Sequence, residues 1–234
     1  MSNKINKIYV TAALLAPCLV ALMVIFFARH PEPVVLFKSN APAAVTVIPP
    51  TKVEDVLPGT SFAPFMVYQD KASKNRFTPS GYMPTGECIG LDDAWQYDPH
   101  DGKTSVRILY DTSCSKAGRK WAGIYWQNPA DTWGDRKGGY DLTGAVRLTF
   151  WAKGEIGGER IEEFRTGGLG VNNLYPDSDS AFIGPVILTN EWKQYMIDLR
   201  GKDLSYISGG FAWVANVESN PHHCTFYLDD IRFE

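Results

Sequence analysis

Two stretches of this chain alternate apolar and polar residues with a period of two, and that pattern commits it to β-structure. In Val146–Gly154 (VRLTFWAKG), Val146, Leu148, Phe150 and Ala152 fall on one parity, with Arg147, Thr149, Trp151 and Lys153 on the other. Successive side chains of a strand point to opposite faces, so this reads as a strand with one face buried. The last ten residues, Thr225–Glu234 (TFYLDDIRFE), alternate in the same way, with one anomaly. Tyr227, Ile231 and Phe233 share their parity with Asp229. A carboxylate among aromatic and β-branched neighbours is costly unless a cation or several donors compensate it.

Further runs of this kind fall at Phe65–Asp70, Thr104–Asp111, Lys120–Gln127, Arg160–Arg165, Trp192–Leu199 and Phe211–Asn216. Turn material separates them, such as Pro99-His100-Asp101-Gly102 and Asn128-Pro129-Ala130-Asp131. Short strands at this density over roughly 170 residues predict one all-β sandwich of jelly-roll type. Gly201–Ser205 is expected to form a single helical turn. The chain is 13% aromatic, with 21 Gly and 15 Pro, which suits short strands joined by tight turns. A formal charge of −3 on 234 residues leaves no basic surface of the kind nucleic acid requires.

The N-terminal part obeys a different logic. Ile8–Ala28 is a run of 21 residues without a charge, preceded by Lys4 and Lys7 and closed by Arg29. At roughly 1.5 Å per residue it spans a hydrocarbon core of about 30 Å. Cleavable signal peptides have shorter apolar cores followed at once by small residues, whereas this run ends in Phe26-Phe27-Ala28-Arg29. Residues 1–29 are therefore expected to be an uncleaved, single-pass membrane anchor. The basic residues ahead of it place the rest of the chain outside the cytoplasm. Seven prolines between His30 and Pro64 predict a semi-rigid, extended linker over 30–63, with the sandwich occupying 64–234. Of the four cysteines, Cys18 lies in the apolar run. Cys88 and Cys114 flank one predicted strand region and are the preferred pair, with Cys224 left over; three reduced thiols are the alternative.

Asp229 is the leading metal-ligand candidate, because hard oxygen ligands at a strand edge suit calcium. Asp70, at the end of the first predicted strand, is its expected partner, since first and last strands of a sandwich are often neighbours. Asp230 is expected on the opposite face, in solvent. Such an ion is structural: the strand supplies no His and no open set of ligands for catalysis. Flat rings near hydrogen-bonding groups suit sugars, whose ring faces are apolar and whose edges are polar. Trp133, Trp151, Trp121 and Tyr125, with Arg147, are the candidate ligand-binding residues, whereas Trp192 and Trp213 are read as core. Glu162-Glu163 diverge on a strand and do not make the paired acids of a glycosidase. His222-His223-Cys224 lacks a second ligand cluster, and the glycines of Gly167-Gly168-Leu169-Gly170 lack a phosphate-loop context.

Several segments together, Tyr140–Ala145, LTFWAKGE, Glu191–Tyr195, Ser208–Phe211 and FYLDDIRFE, resemble galactose-binding-like jelly rolls. More narrowly, they resemble carbohydrate-binding modules and their membrane-anchored or secreted relatives. Asn75–Met83 and Trp121–Asn128 fit the same group, so the resemblance covers about Phe65 to Glu234. It implies a non-catalytic, extracytoplasmic module whose partner is a polysaccharide or other glycan. It also implies a structural calcium at the Asp of the last strand, which matches Asp229. Sugar contacts vary within the group, so no ligand residue is carried over. The alternative is a protein-interaction or scaffold domain of an envelope assembly, with no sugar ligand.

Overall fold

Each of the eight alternating runs contains strand, and each strand is paired with an antiparallel neighbour. The computed structural model describes residues 62–114 and 120–234. The expected anchor and nearly all of the expected linker lie outside the described residues. In chain order the strands are β1 (Phe65–Tyr68), β2 (Thr78–Met83), β3 (Ile89–Trp95), β4 (Ser105–Tyr110), β5 (Trp121–Gln127), β6 (Arg147–Gly154) and β7 (Arg160–Ile161). They continue with β8 (Glu163–Gly167), β9 (Ser180–Ile183), β10 (Val186–Ile187), β11 (Lys193–Asp198), β12 (Gly209–Asn216) and β13 (Cys224–Phe233). Two antiparallel sheets result. One runs β11-β6-β13-β4-β3 with β1 added beside β13, and the other runs β2-β5-β12-β8-β9. Strands β7 and β10 form a small ribbon of their own.

The core lies between the sheets and is rich in aromatic rings. Phe150 of β6 meets Phe164 and Phe211 of the other sheet at centroid distances of 4.7 and 5.0 Å. Phe226 of β13 meets Trp213 edge-on at 5.1 Å. All five rings are fully buried, each contributing about 1.5–3 kcal/mol of transfer free energy. Strand β1 pairs with β13, Phe65 opposite Phe233, so the ends of the described domain meet in one sheet as expected. The Cys88–Cys114 disulfide joins the turn before β3 to the turn after β4. Cys224 is a buried free thiol that burial pushes up to about 12.

Several expectations need correcting. Strands β9 and β10, four and two residues long, fall outside the predicted runs, as do β2 and β3, where Pro79 and Gly81 interrupt the pattern of one and Asp92-Asp93 that of the other. Both β2 and β3 are edge strands, where such residues are tolerated. Gly201–Ser205 forms no helical turn; Gly201 has φ +78° and closes a tight turn in which Lys202 N–H donates to the Leu199 carbonyl. The described helical pieces are short 3₁₀ turns at Gly86–Cys88 and Thr112–Cys114.

The last strand departs furthest from the expected alternation. Its register against β6 slips between Asp229 and Arg232, and Asp230 takes φ +46°. This bulge reverses the parity. Phe226 and Leu228 before it and Ile231 and Phe233 after it all enter the core, while Tyr227 and Asp229 turn to the outer face. Asp229 therefore does not share a face with Ile231 and Phe233.

Candidate functional site

The outer face of the five-stranded sheet is built from two cross-strand rows. Met83, Gly123, Val214 and Glu163 lie opposite one another across β2, β5, β12 and β8. The next row holds Gly81, Tyr125, Ala212, Arg165 and, on β9, Phe182. Met83 and Leu169 cover Gly123 and Ala212 on the inner strands, so the exposed part of this face, a shallow trough, runs from Trp121 along Glu163 and Arg165 to Phe182. Arg165 and Glu163 stand on adjacent rows as an ion pair, and the Arg165 guanidinium lies 5.4 Å from the Phe182 ring centroid. That pairing holds the Arg165 guanidinium above its ordinary range, although burial works against the charge. Trp121 extends the face at the start of β5.

One end of the trough is roofed. Leu169 packs on Tyr125 and Ala212 to form a second buried cluster, with Met83 and Trp133 against it. Asp177 pins this roof, because its carboxylate accepts N–H groups from Leu169, Ser208 and Gly209 and the Ser208 hydroxyl. Trp133 sits at φ +47° in the 131–134 turn, edge-on to Tyr125 at 6.2 Å, and its indole N–H donates to Asp131. The Tyr125 hydroxyl donates to the Gly167 carbonyl at 3.1 Å. Burial and the nearby acids push that phenol up, despite Arg165 beside it. Tyr125 is thus the floor of the trough, and Trp133 is part of its roofed end.

The outer face of the six-stranded sheet is covered differently. Trp151 stands opposite Gln194 and Asp229, and the next row reads Lys153, Tyr227, Arg107 and Asp92. The turn following β3 folds back over these rows. His100 stacks on Trp151 at 3.7 Å, and its Nδ1 lies 2.8 Å from Asp230. The backbone N–H groups of His100 and Asp101 donate to one Asp229 oxygen, and that of Asp230 to the other. Asp229 is 0% exposed, and burial, reinforced by the charge of Asp230, pushes its carboxyl up to about 7. Asp230 is buried as well, not solvated as the alternation suggested.

Asp70 grips the far end of the same turn, its Oδ1 accepting the N–H groups of Lys103 and Thr104 and the Thr104 hydroxyl. Gly102, at φ +66°, gives it room: a Cβ there would lie 2.4 Å from Asp70 Oδ2. Both metal-ligand candidates therefore hold one segment, His100–Thr104. Among the described residues no three His, Cys, Asp or Glu side chains converge as a metal cage, so any ion here would draw on backbone or water oxygens as well.

The predicted ligand set is divided. Trp121, Tyr125 and Trp133 belong to the five-stranded sheet, whereas Trp151 and Arg147 lie on the opposite side of the molecule. Trp151 is covered by His100, and Arg147 is tied to Glu234 at 2.7 Å. Trp213 is core, as expected, but Trp192 is not: it precedes β11 and lies on the outer face, donating its indole N–H to the Asp98 carbonyl. Glu162 and Glu163 diverge to Arg160 and Arg165, as the strand geometry requires. Met83, Glu163, Arg165 and Phe182 escape sequence reading because they converge only through pairing. The one local signal is the opposite charge of Glu163 and Arg165 at i, i+2.

No family model matches the sequence, and no curated protein matches it. Among solved structures the chain is similar to the family 30 carbohydrate-binding module of a cellulosomal cellulase of Clostridium thermocellum. The identity is 17% and the TM-score 0.47, over 74% of this chain and 97% of that one. A family 11 carbohydrate-binding module from Clostridium thermocellum, in complex with a β-1,3-1,4-mixed-linked tetrasaccharide, is 13% identical with a TM-score of 0.49, over 74% of this chain and 96% of that one. A family 29 module is 7% identical with a TM-score of 0.42, over 73% and 87%. The likeness to carbohydrate-binding modules expected from the sequence is thus also found among structures, at a distance too great to bear on a ligand.

Proposed function

We propose that this chain is a non-catalytic carbohydrate-binding module, held outside the cytoplasm by the apolar Ile8–Ala28 segment. The observation that carries the reading is the five-stranded trough, where apolar side chains flank an ion pair. Phe182 and Trp121, 37% and 39% exposed, offer apolar surface to a sugar ring, and Arg165 and Glu163 between them offer partners for its hydroxyls. Affinity electrophoresis of the full chain in detergent, through gels containing neutral polysaccharides, tests this. Retardation by at least one polymer is expected, and Phe182→Ala should weaken it about three- to tenfold. No retardation by any polymer would remove the reading. The exposed Val171 and Leu174, on the loop that roofs the trough, favour the alternative of a protein-interaction domain, which that negative result would support.

A structural calcium belongs to the same proposal. Asp229 and Asp70 would hold it, and its charge would offset the cost of burying Asp229. Chelation is expected to lower the melting temperature of the full chain, and Asp229→Ala to abolish that sensitivity. Equal melting with and without chelator would eliminate the ion.

A further inference from the structure

The six-stranded sheet carries more aromatic surface than its core requires. Six rings follow one another across its outer face: Tyr97, Trp95, Tyr227, Trp192, His100 and Trp151, with centroid steps of 5.2, 6.2, 6.5, 6.1 and 3.7 Å. The inner part of this chain is structural, since Lys153 lies 5.2 Å from both the Trp192 and Tyr227 centroids and His100 closes over Trp151. The outer end is open. Tyr97 is 74% exposed, and among the described residues its one aromatic neighbour is Trp95, tilted at 52°. Below Trp95 the Arg107 guanidinium lies 5.0 Å from the ring centroid and fixes its orientation. Asp92, Ala94, Trp95, Gln96 and Tyr97 line an open cavity of about 410 Å³, within the range of small-ligand sites.

We infer a second carbohydrate-binding surface here, centred on Trp95 and Tyr97 and taking an uncharged sugar chain. It rests on the carbohydrate reading above but lies on the opposite sheet from the trough. The charges choose the ligand. Arg107 pairs through Nη2 with Glu155 at 3.6 Å, its Nε buried without a hydrogen-bond partner, and Lys153 pairs with Asp98, so both cations of this row have a carboxylate beside them. Asp92 is exposed beside the rings, and Gln96 is exposed with it. The carboxylate and the amide beside two aromatic planes accept hydrogen bonds from sugar hydroxyls, and the carboxylate repels a uronate or sulfated chain. The tilt between Trp95 and Tyr97 suits two successive sugar units whose planes are rotated against one another.

The test uses the full chain in detergent, by affinity electrophoresis against neutral polysaccharides and against pectin as the anionic control. Four proteins are compared: wild type, Tyr97→Ala, the trough variant Trp121→Ala/Phe182→Ala, and the combination of all three substitutions. The trough variant is expected to keep residual retardation by a neutral polymer, and the added Tyr97→Ala to weaken it about three- to tenfold. Pectin should retard none of the four. If wild type is retarded and Tyr97→Ala changes nothing in either background, the second surface is overturned and the trough stands. If pectin is bound through Tyr97, the uncharged ligand class is overturned. If wild type is retarded by nothing, both surfaces fall together. Because Tyr97 is so exposed, unchanged thermal melting should accompany its loss.

Discussion

Each sheet has an outer face covered by a loop anchored on a carboxylate, half-buried Asp177 in one case and fully buried Asp229 in the other, yet the two covers are built on different principles. Over the five-stranded sheet, Asp177 holds the loop and the residues turned inward are apolar: Leu169 and Trp133 on Tyr125, Ala212 and Met83. Over the six-stranded sheet, Asp229 and Asp70 hold the segment, and what turns inward is the imidazole of His100, between Trp151 and Asp230. The first cover extends the hydrophobic core to the outside of a sheet. The second is a polar latch, in which the imidazole of His100 joins Trp151 to Asp230. One fold therefore keeps a trough half closed by packing on one side and an aromatic surface framed by charges on the other.

Covalent support separates the two sheets further, and removing it should give the largest effect. Among the described residues the Cys88–Cys114 bridge is confined to the β3–β4 edge of the six-stranded sheet, closing a sequence separation of 26 residues. Loop-closure entropy for that separation is worth about 3–4 kcal/mol. The double substitution Cys88→Ser/Cys114→Ser is expected to lower urea-unfolding stability by that amount. A loss below about 1 kcal/mol would mean that the edge is held by its ladder and core contacts instead.

Next in size is the roof of the trough. Leu169→Ala removes a nearly fully buried side chain from a small cluster, with few neighbours to collapse into the gap, and should cost about 2–3 kcal/mol. Intrinsic fluorescence should shift to the red as Trp133 gains water. An unchanged spectrum together with unchanged stability would show that the roof contributes no packing, and the contrast between the covers would fail.

The contrast itself was hidden from the sequence, although the strands that build it were not. The alternation of Leu148, Phe150 and Ala152 is strong because one full face of β6 meets the core. The pairing of Cys88 with Cys114 was legible because the two flank a single hairpin of strands. Simple alternation places Asp229 in the core because it runs straight through the bulge at Asp230, and no local pattern announces such an extra residue. Trp192 looked like core because a Trp next to a strand usually is. Its place was decided by the turn carrying Asp98, nearly a hundred residues away in sequence. The trough has the same origin: Phe182, Arg165 and Tyr125 become neighbours only through the pairing of β9 with β8 and of β8 with β12.

The smallest effect tests the latch most directly. In the unfolded chain Asp229 should titrate near the ordinary aspartate value of about 4, whereas burial pushes it up to about 7 in the folded state. Between those values the native state holds more protons than the unfolded chain, so stability falls as pH rises from about 4 to about 7. Asp177, also pushed up by burial, works in the same direction. Asp70 and Glu234 work in the opposite one. Burial raises both, but their hydrogen-bond partners hold them below the carboxylate range, and they lose stability only as the medium becomes more acidic. Comparison with Asp229→Asn isolates the latch. In chelator, wild type should lose about 1–2 kcal/mol more than the variant between pH 6 and pH 8. Added calcium should flatten the wild-type profile, because a dication beside Asp229 holds it ionised at every pH in that range. A wild-type profile parallel to that of Asp229→Asn in chelator would show that the three backbone N–H groups suffice to keep Asp229 charged. The six-stranded cover would then be held by an anchor that stays charged across this range.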